Sequence, residues 1–140
     1  MKFWDTSALI PLLFDEEHSA TTRALFDADP AVAAWWGTPV ECASAAARLR
    51  REGELTVAEE SQALGLVSDL RDGWTEILPS EELRSTAQRL LRVHALRASD
   101  ALQLAAALVW AGTPDGAELV TLDERFAMAA RLEGFRVLPG

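Results

Sequence analysis

Lysine is almost missing from this chain. Of its 13 basic residues, Lys2 is the only lysine, and against them stand 22 acids, for a net charge of −9. That balance excludes a protein that holds nucleic acid by a broadly basic surface, because such binding rests on many Lys and Arg contacts to phosphate. It does not exclude a nucleic-acid enzyme whose acids serve a special purpose. Cysteine is equally scarce: Cys42 stands alone. Neither an intrachain disulfide nor a cysteine-rich zinc site can form, and a reducing compartment suits the chain. Long hydrophobic runs are absent too. The most apolar stretch, Ala101–Gly112, falls far short of the ~20 residues a membrane helix needs. The apolar start Met1–Phe14 is interrupted by Asp5 and followed by Asp15, Glu16 and Glu17 in place of a small-residue cleavage site. It reads as mature protein, and the expected location is the cytoplasm.

Several catalytic patterns are also missing. There is no G-x-S-x-G elbow, no phosphate-binding glycine loop and no H-x-x-x-H pair. His18 and His94 are isolated in helical contexts, which suggests surface or capping roles. Cys42, among alanines, reads as a buried structural thiol. The five tryptophans fall at expected strands and in one apolar helix, so core or interface positions suit them better than base stacking, which usually accompanies a basic groove.

What remains is an ordinary globular composition, 49% hydrophobic over 140 residues, which predicts a single domain spanning residues 1–140. Short apolar runs predict strands at Lys2–Trp4, Val32–Trp36, Trp74–Leu78, Glu118–Leu122 and Phe135–Leu138. Between them lie helical patterns. Leu9–Phe14 carries Pro11, which fits only near a helix start. Glu17–Ala28 places Ala20, Ala24, Leu25 and Ala28 on one face. Thr38–Arg51 is expected to be capped by Thr38 and ended by Gly53, with Pro39 at its first position. Thr56–Arg71 opens with the capping box Thr56-Val57-Ala58-Glu59. Ser80–Leu96, Ser99–Ala111 and Glu124–Leu132 complete the set, and Ser99–Ala111 is apolar on nearly every face. Strands alternating with helices predict a parallel sheet covered on both faces, and such sheets bind ligands beyond the carboxyl ends of their strands.

Four acids fall at that edge. Asp5 follows the first strand and Asp123 follows the fourth. Glu41 and Asp100 lie in the first turns of helices. Carboxylates gathered together repel and raise one another's pKa. The simplest resolution is a hard divalent cation, Mg²⁺ or Mn²⁺, which takes oxygen ligands and keeps waters and substrate phosphates. Each acid also has a plainer reading. Glu41 lies three residues after Thr38, a capping-box spacing, and Thr121 to Glu124 repeats it. Asp100 gains from the helix dipole. Asp5 could simply cap the following helix. Only the coincidence on one edge favours chemistry. Arg48 shares a helix face with Glu41, and Arg97 precedes Asp100 by three residues; each could meet phosphate or pair with a neighbouring carboxylate.

The segments Phe3-Trp4-Asp5-Thr6-Ser7-Ala8-Leu9, Pro39-Val40-Glu41 through Arg48, Arg97-Ala98-Ser99-Asp100-Ala101-Leu102-Gln103-Leu104-Ala105-Ala106-Ala107, and Val120-Thr121-Leu122-Asp123 resemble those of PIN-domain proteins. Their order and spacing are most similar to the VapC toxins of bacterial toxin–antitoxin pairs. The resemblance implies a three-layer α/β/α sandwich with a mostly parallel sheet of about five strands. It implies a Mg²⁺- or Mn²⁺-dependent endoribonuclease in which Asp5, Glu41, Asp100 and Asp123 bind metal, with Thr121 and Ser7 in support. It also implies an RNA substrate, homodimers and a cognate antitoxin; Arg48 and Arg97, read above from their placement, are then the candidates to contact RNA. Some relatives carry a further acid shortly after the Thr-x-Asp pair; here Glu124 is followed by Arg125 and Phe126, which leaves a second metal ion open. Two other classes stand beside this one. A receiver or phosphatase-like domain also uses strand-end acids with Mg²⁺, but normally needs a lysine late in the sheet. A non-enzymatic acidic module would only dock a basic partner.

Overall fold

A computed structural model describes residues 1–140. In chain order the elements are β1 (Lys2–Trp4), α1 (Thr6–Leu13), α2 (Ser19–Ala28), β2 (Val32–Trp35), α3 (Thr38–Arg51), α4 (Val57–Gly73), β3 (Thr75–Ile77), α5 (Glu81–Val93), α6 (Ala98–Ala111), β4 (Glu118–Val120), α7 (Glu124–Leu132) and β5 (Arg136–Leu138). The five strands form one sheet in the order β3-β2-β1-β4-β5, and every neighbouring pair is parallel.

Successive side chains on a strand point to opposite faces, and the core divides accordingly. Phe3, Ala33, Trp35, Leu119 and Val137 face α5, α6 and α7. Trp4, Val32, Ala34, Val120 and Leu138 face α1, α2 and α4. A third cluster, Leu13, Cys42, Ala63 and Val67, joins α1, α3 and α4. This is the expected three-layer sandwich. Ala101, Ala105, Ala106 and Ala107 are all fully buried; their small side chains let α6 lie close against its neighbours and carry Asp100 in toward the sheet edge.

Local signals explain most boundaries. The Thr56–Glu59 capping box forms in both directions. Gly53, at φ +80°, ends α3: its N–H bonds the Arg50 carbonyl at 3.0 Å, and the Glu54 N–H bonds that of Leu49 at 2.8 Å. This left-handed C-terminal cap is natural to glycine.

Four expectations are corrected. Helix α1 begins at Thr6, because Asp5 caps it through the Ala8 N–H, so Pro11 lies inside the helix. In α2 the packed residues are Thr22, Leu25 and Phe26, while Ala20, Ala24 and Ala28 face solvent. Thr38 does not cap α3; the cap position is Gly37, with no side-chain bond, because the Thr38 hydroxyl is engaged by Gln103. His94 takes the capping alternative, as the C-cap of α5 with its N–H on the Leu90 carbonyl at 2.8 Å, and not the surface one: its ring is 7% exposed and lies 2.7 Å from the Glu133 carboxylate, which also takes two bonds from Arg89. No helix is long and apolar enough to cross a membrane.

Candidate active site

Strand β1 connects to β2 on one side of the sheet, whereas its other neighbour, β4, leads to β5 on the opposite side. The crevice beyond the carboxyl ends of β1 and β4 is therefore the topological switch point, where such sheets bind ligands. Asp5 leaves β1 there, and Thr121 and Asp123 leave β4.

Asp5 is 5% exposed. Its Oδ1 accepts the Ser7 hydroxyl at 2.7 Å and the Ala8 N–H at 3.2 Å, and its Oδ2 accepts the Thr121 hydroxyl at 2.9 Å. Both hydroxyl protons are thus committed to Asp5, so the 3.3 Å approach of Ser7 Oγ to Thr121 Oγ1 is a contact between acceptors. Each of those oxygens also receives a backbone N–H: Ser7 from Leu122 at 3.0 Å, Thr121 from Asp123 at 3.1 Å. The start of α1 and the end of β4 are laced together around one carboxylate. Burial nonetheless pushes the Asp5 carboxyl up to about 7, against the pull of those hydrogen bonds and with a further push from the Asp123 charge.

Asp123 caps α7 by accepting the Phe126 N–H at 3.0 Å. The expected Thr121–Glu124 capping box does not form, because Thr121 turns to Asp5 instead. Asp100 lies in the first turn of α6 and is raised by burial and by Asp123, while the charges of Arg97 and Arg125 oppose the rise. Glu41, half-buried on α3, is raised by burial and by Asp100; bonds from Gln103 and Thr6 oppose that. Its side chain does not close a box with Thr38. Repulsion therefore links the acids in series, Asp5 with Asp123, Asp123 with Asp100, and Asp100 with Glu41.

None of the four enters an ion pair. Lys2, the only lysine, is held at the opposite end of β1, 3.3 Å from Asp29, so the lysine that a receiver or phosphatase site needs is absent from this edge. No three acidic, His or Cys side chains stand together as a ready-made coordination shell. The donor set is hard oxygen, mutually repelling and not ion-paired to the Arg97 and Arg125 guanidiniums nearby, which fits an oxygen-seeking divalent ion whose remaining ligands are water and substrate.

A cleft of about 520 Å³ opens over Asp100 and Asp123, lined also by Arg97, Ser99, Glu124 and Arg125, with no hydrophobic side chain. A larger cleft, about 610 Å³, lies on the α1, α2 and α4 side beside Pro11, Phe14 and Arg23; it touches none of the four acids. Arg97 thus reaches the site. Arg48 does not: it lies two turns along α3 from Glu41, exposed and without an ion pair, and is not among the residues lining this cleft. Two site residues escape sequence reasoning. Arg125 follows a helix cap and reads as a surface residue. Gln103 reads as one more member of an apolar helix, although a lone amide in such a helix signals buried partners.

The fold and this edge define an α/β protein with a carboxylate site at the switch point of a parallel sheet. Residues 2–132 match the PIN domain, and the chain belongs to that family. Two Mycobacterium tuberculosis proteins, Ribonuclease VapC45 (strain CDC 1551 / Oshkosh) and Ribonuclease VapC49 (strain ATCC 25618 / H37Rv), are each 35% identical to it over 141 residues, covering 98% of this chain and 94% of their own. The crystal structure of Mycobacterium tuberculosis VapC20, a sarcin–ricin loop cleaving toxin, shares the fold, with a TM-score of 0.69 at 18% identity over 92% of this chain and 95% of that one.

Proposed function

We propose that this chain is a metal-dependent endoribonuclease and the toxin of a toxin–antitoxin pair, acting as a single domain of residues 1–140. The observation that carries this reading is the convergence of Asp5, Asp123, Asp100 and Glu41 at the switch point with no basic residue paired to any of them. The similarity to proteins named as VapC ribonucleases supports the substrate class.

Asp5, Asp100 and Asp123 would hold Mg²⁺ or Mn²⁺, with Glu41 as a further ligand or a base beside it. That ion supplies an acidified water and neutralises charge on a scissile phosphate. The protein does the rest. Ser7 and Thr121 fix both oxygens of Asp5, so the carboxylate would meet a cation without first reorganising. Arg97 and Arg125 line the same cleft as Asp100 and Asp123, where their guanidinium groups can take phosphate oxygens in bidentate fashion. Glu41, raised in pKa beside Asp100, is suited to receive a proton. The same reading carries a cognate antitoxin as partner, a homodimer and a cytoplasmic site of action.

The test is hydrolysis of a mixed RNA pool. Cleavage lost in EDTA and restored by Mn²⁺ is expected, with Asp5→Asn and Asp100→Asn inactive yet folded. Parental cleavage by either variant would overturn the site assignment, and cleavage indifferent to EDTA would overturn the metal.

A further inference from the structure

Gln103 is 2% exposed in the middle of α6. Its amide nitrogen faces three oxygens: Thr6 Oγ1 at 2.9 Å, Thr38 Oγ1 at 3.0 Å and Glu41 Oε2 at 2.8 Å. An amide nitrogen carries two hydrogens, so it serves two of these at a time. Glu41 is the nearest and, when ionised, the strongest acceptor, and it takes one hydrogen. The two threonines compete for the other.

The opposite end of the amide decides what this arrangement is for. Gln103 Oε1 is buried and has no partner. Turning the amide over would set Oε1 against the Glu41 carboxylate, oxygen to oxygen. The orientation that leaves a buried carbonyl unpaired is thus imposed by Glu41. A polar side chain kept for stability alone would pair both ends, because a half-satisfied buried network is worse than an apolar core. The three partners also sit where the site is assembled: Thr6 follows Asp5 at the start of α1, and Thr38 and Glu41 share the first turn of α3. Gln103 itself lies one turn beyond Asp100 on α6.

We propose that Gln103 is a positioning residue for the acidic site: its amide holds Glu41 by Oε2 and ties the starts of α1, α3 and α6 into one frame. This rests on the reading of the site as a divalent-cation centre. Gln103 touches neither ion nor RNA and acts through Glu41.

Gln103→Met tests it, keeping the length of the side chain and removing the donor. Mn²⁺ binding is measured by calorimetry on cation-free protein without RNA, beside Mn²⁺ titration of RNA cleavage. Mn²⁺ affinity is expected to fall about 10- to 100-fold, as for other residues that orient metal ligands, with the half-saturating Mn²⁺ for cleavage rising in step. In a Glu41→Gln background the same substitution should change Mn²⁺ affinity less than about twofold, because the two act as one unit. Parental Mn²⁺ binding by Gln103→Met, or an undiminished effect in the Glu41→Gln background, overturns the positioning role. If Gln103→Met does not fold, Gln103→Asn carries the test; it keeps an amide too short to reach Glu41, and parental binding by it is equally fatal. A parent protein that binds no Mn²⁺ overturns the metal reading, and this inference with it. A parent that binds Mn²⁺ beside an unaltered variant overturns this inference alone.

Discussion

Thr121 Oγ1 donates to Asp5 Oδ2 at 2.9 Å across the seam between β4 and β1, joining residues 116 apart in the chain. The same oxygen accepts the Asp123 N–H at 3.1 Å. One hydroxyl therefore orients two of the four acids at once, one through a side chain and one through the backbone. Thr121→Val keeps the shape and strands both partners. It should cost about 1–3 kcal/mol of stability, the usual range for leaving a buried polar group unpaired, and should lower RNA cleavage. Thr121→Ser should restore both. Urea unfolding and cleavage assays on the same preparations check this; a Thr121→Val protein equal to the parent in both refutes it.

Asp5 makes the cation-free protein sensitive to pH in an unusual direction. Burial lifts its carboxyl from an ordinary 3.8 to about 7. Between those values the folded state holds a proton that the unfolded chain has released, so stability falls as pH rises through the window. Without divalent cations the protein should melt at a lower temperature at pH 8 than at pH 5. Added Mn²⁺ should remove the deficit at pH 8, because bound metal favours the ionised ligand. Asp5→Asn should weaken the dependence, leaving the share carried by Glu41 and Asp100, whose carboxyls are also raised. Thermal melts at several pH values, with and without Mn²⁺, decide the matter. Greater stability of the cation-free parent at pH 8 would contradict the assignment.

How far each residue is legible in the sequence depends on where its partners lie. Asp5 and Asp123 can be placed from local pattern alone, since each ends a short apolar run. The sheet is legible for the same reason. Thr38, just before Pro39 and three residues ahead of Glu41, has the local signature of a cap, but its true partner, Gln103, is 65 residues away. Thr121 has the spacing of a box residue, and its bond to Asp5 competes. Helical periodicity groups Arg48 with the site, because it sets the face of a helix but not how far along the helix that face meets another element. Nothing near His94 in sequence announces Glu133, so local pattern leaves the ring at the surface.

Arg97 and Arg125 line the acidic cleft, and neither is tied up in an ion pair. On a chain of net charge −9, affinity for RNA is expected to rest on such local groups and, on the reading proposed above, on a bound divalent ion. Arg97→Ala and Arg125→Ala should each raise KM more than they lower kcat. Removing one guanidinium from a phosphate of single-stranded RNA should reduce the slope of log affinity against log salt by about 0.7. Arg48→Ala, far along α3, should match the parent. Cleavage kinetics and binding across a salt series check all three; an Arg48→Ala defect larger than the other two would move the RNA path to the outer end of α3.

Glu133 supplies a pH dependence of the opposite sign, on the other side of the molecule from α3. It takes two bonds from Arg89 and lies 2.7 Å from the His94 ring. Those contacts, the Arg89 bonds first, hold its carboxyl below the ordinary 4.5 against the effect of burial. A carboxylate with a depressed folded pKa contributes stability that is fully present above its unfolded value and fades as pH falls through the folded one. This contribution is therefore intact where the folded Asp5 carboxyl titrates, at about 7, and fades only as pH falls below 4.5, so the two effects fall at opposite ends of the pH range. Glu133→Ala leaves His94, with a ring only 7% exposed, buried without its partner, and loosens the tie between α5 and the end of α7. It should cost about 1–3 kcal/mol at neutral pH, and the difference from the parent should shrink as the solution is acidified below the ordinary carboxylate range. RNA cleavage per folded molecule should stay unchanged, because Glu133 contacts none of the four acids. Chemical unfolding at neutral and acidic pH, read beside cleavage, checks this; a Glu133→Ala protein with parental stability but impaired cleavage would place Glu133 in the catalytic machinery instead.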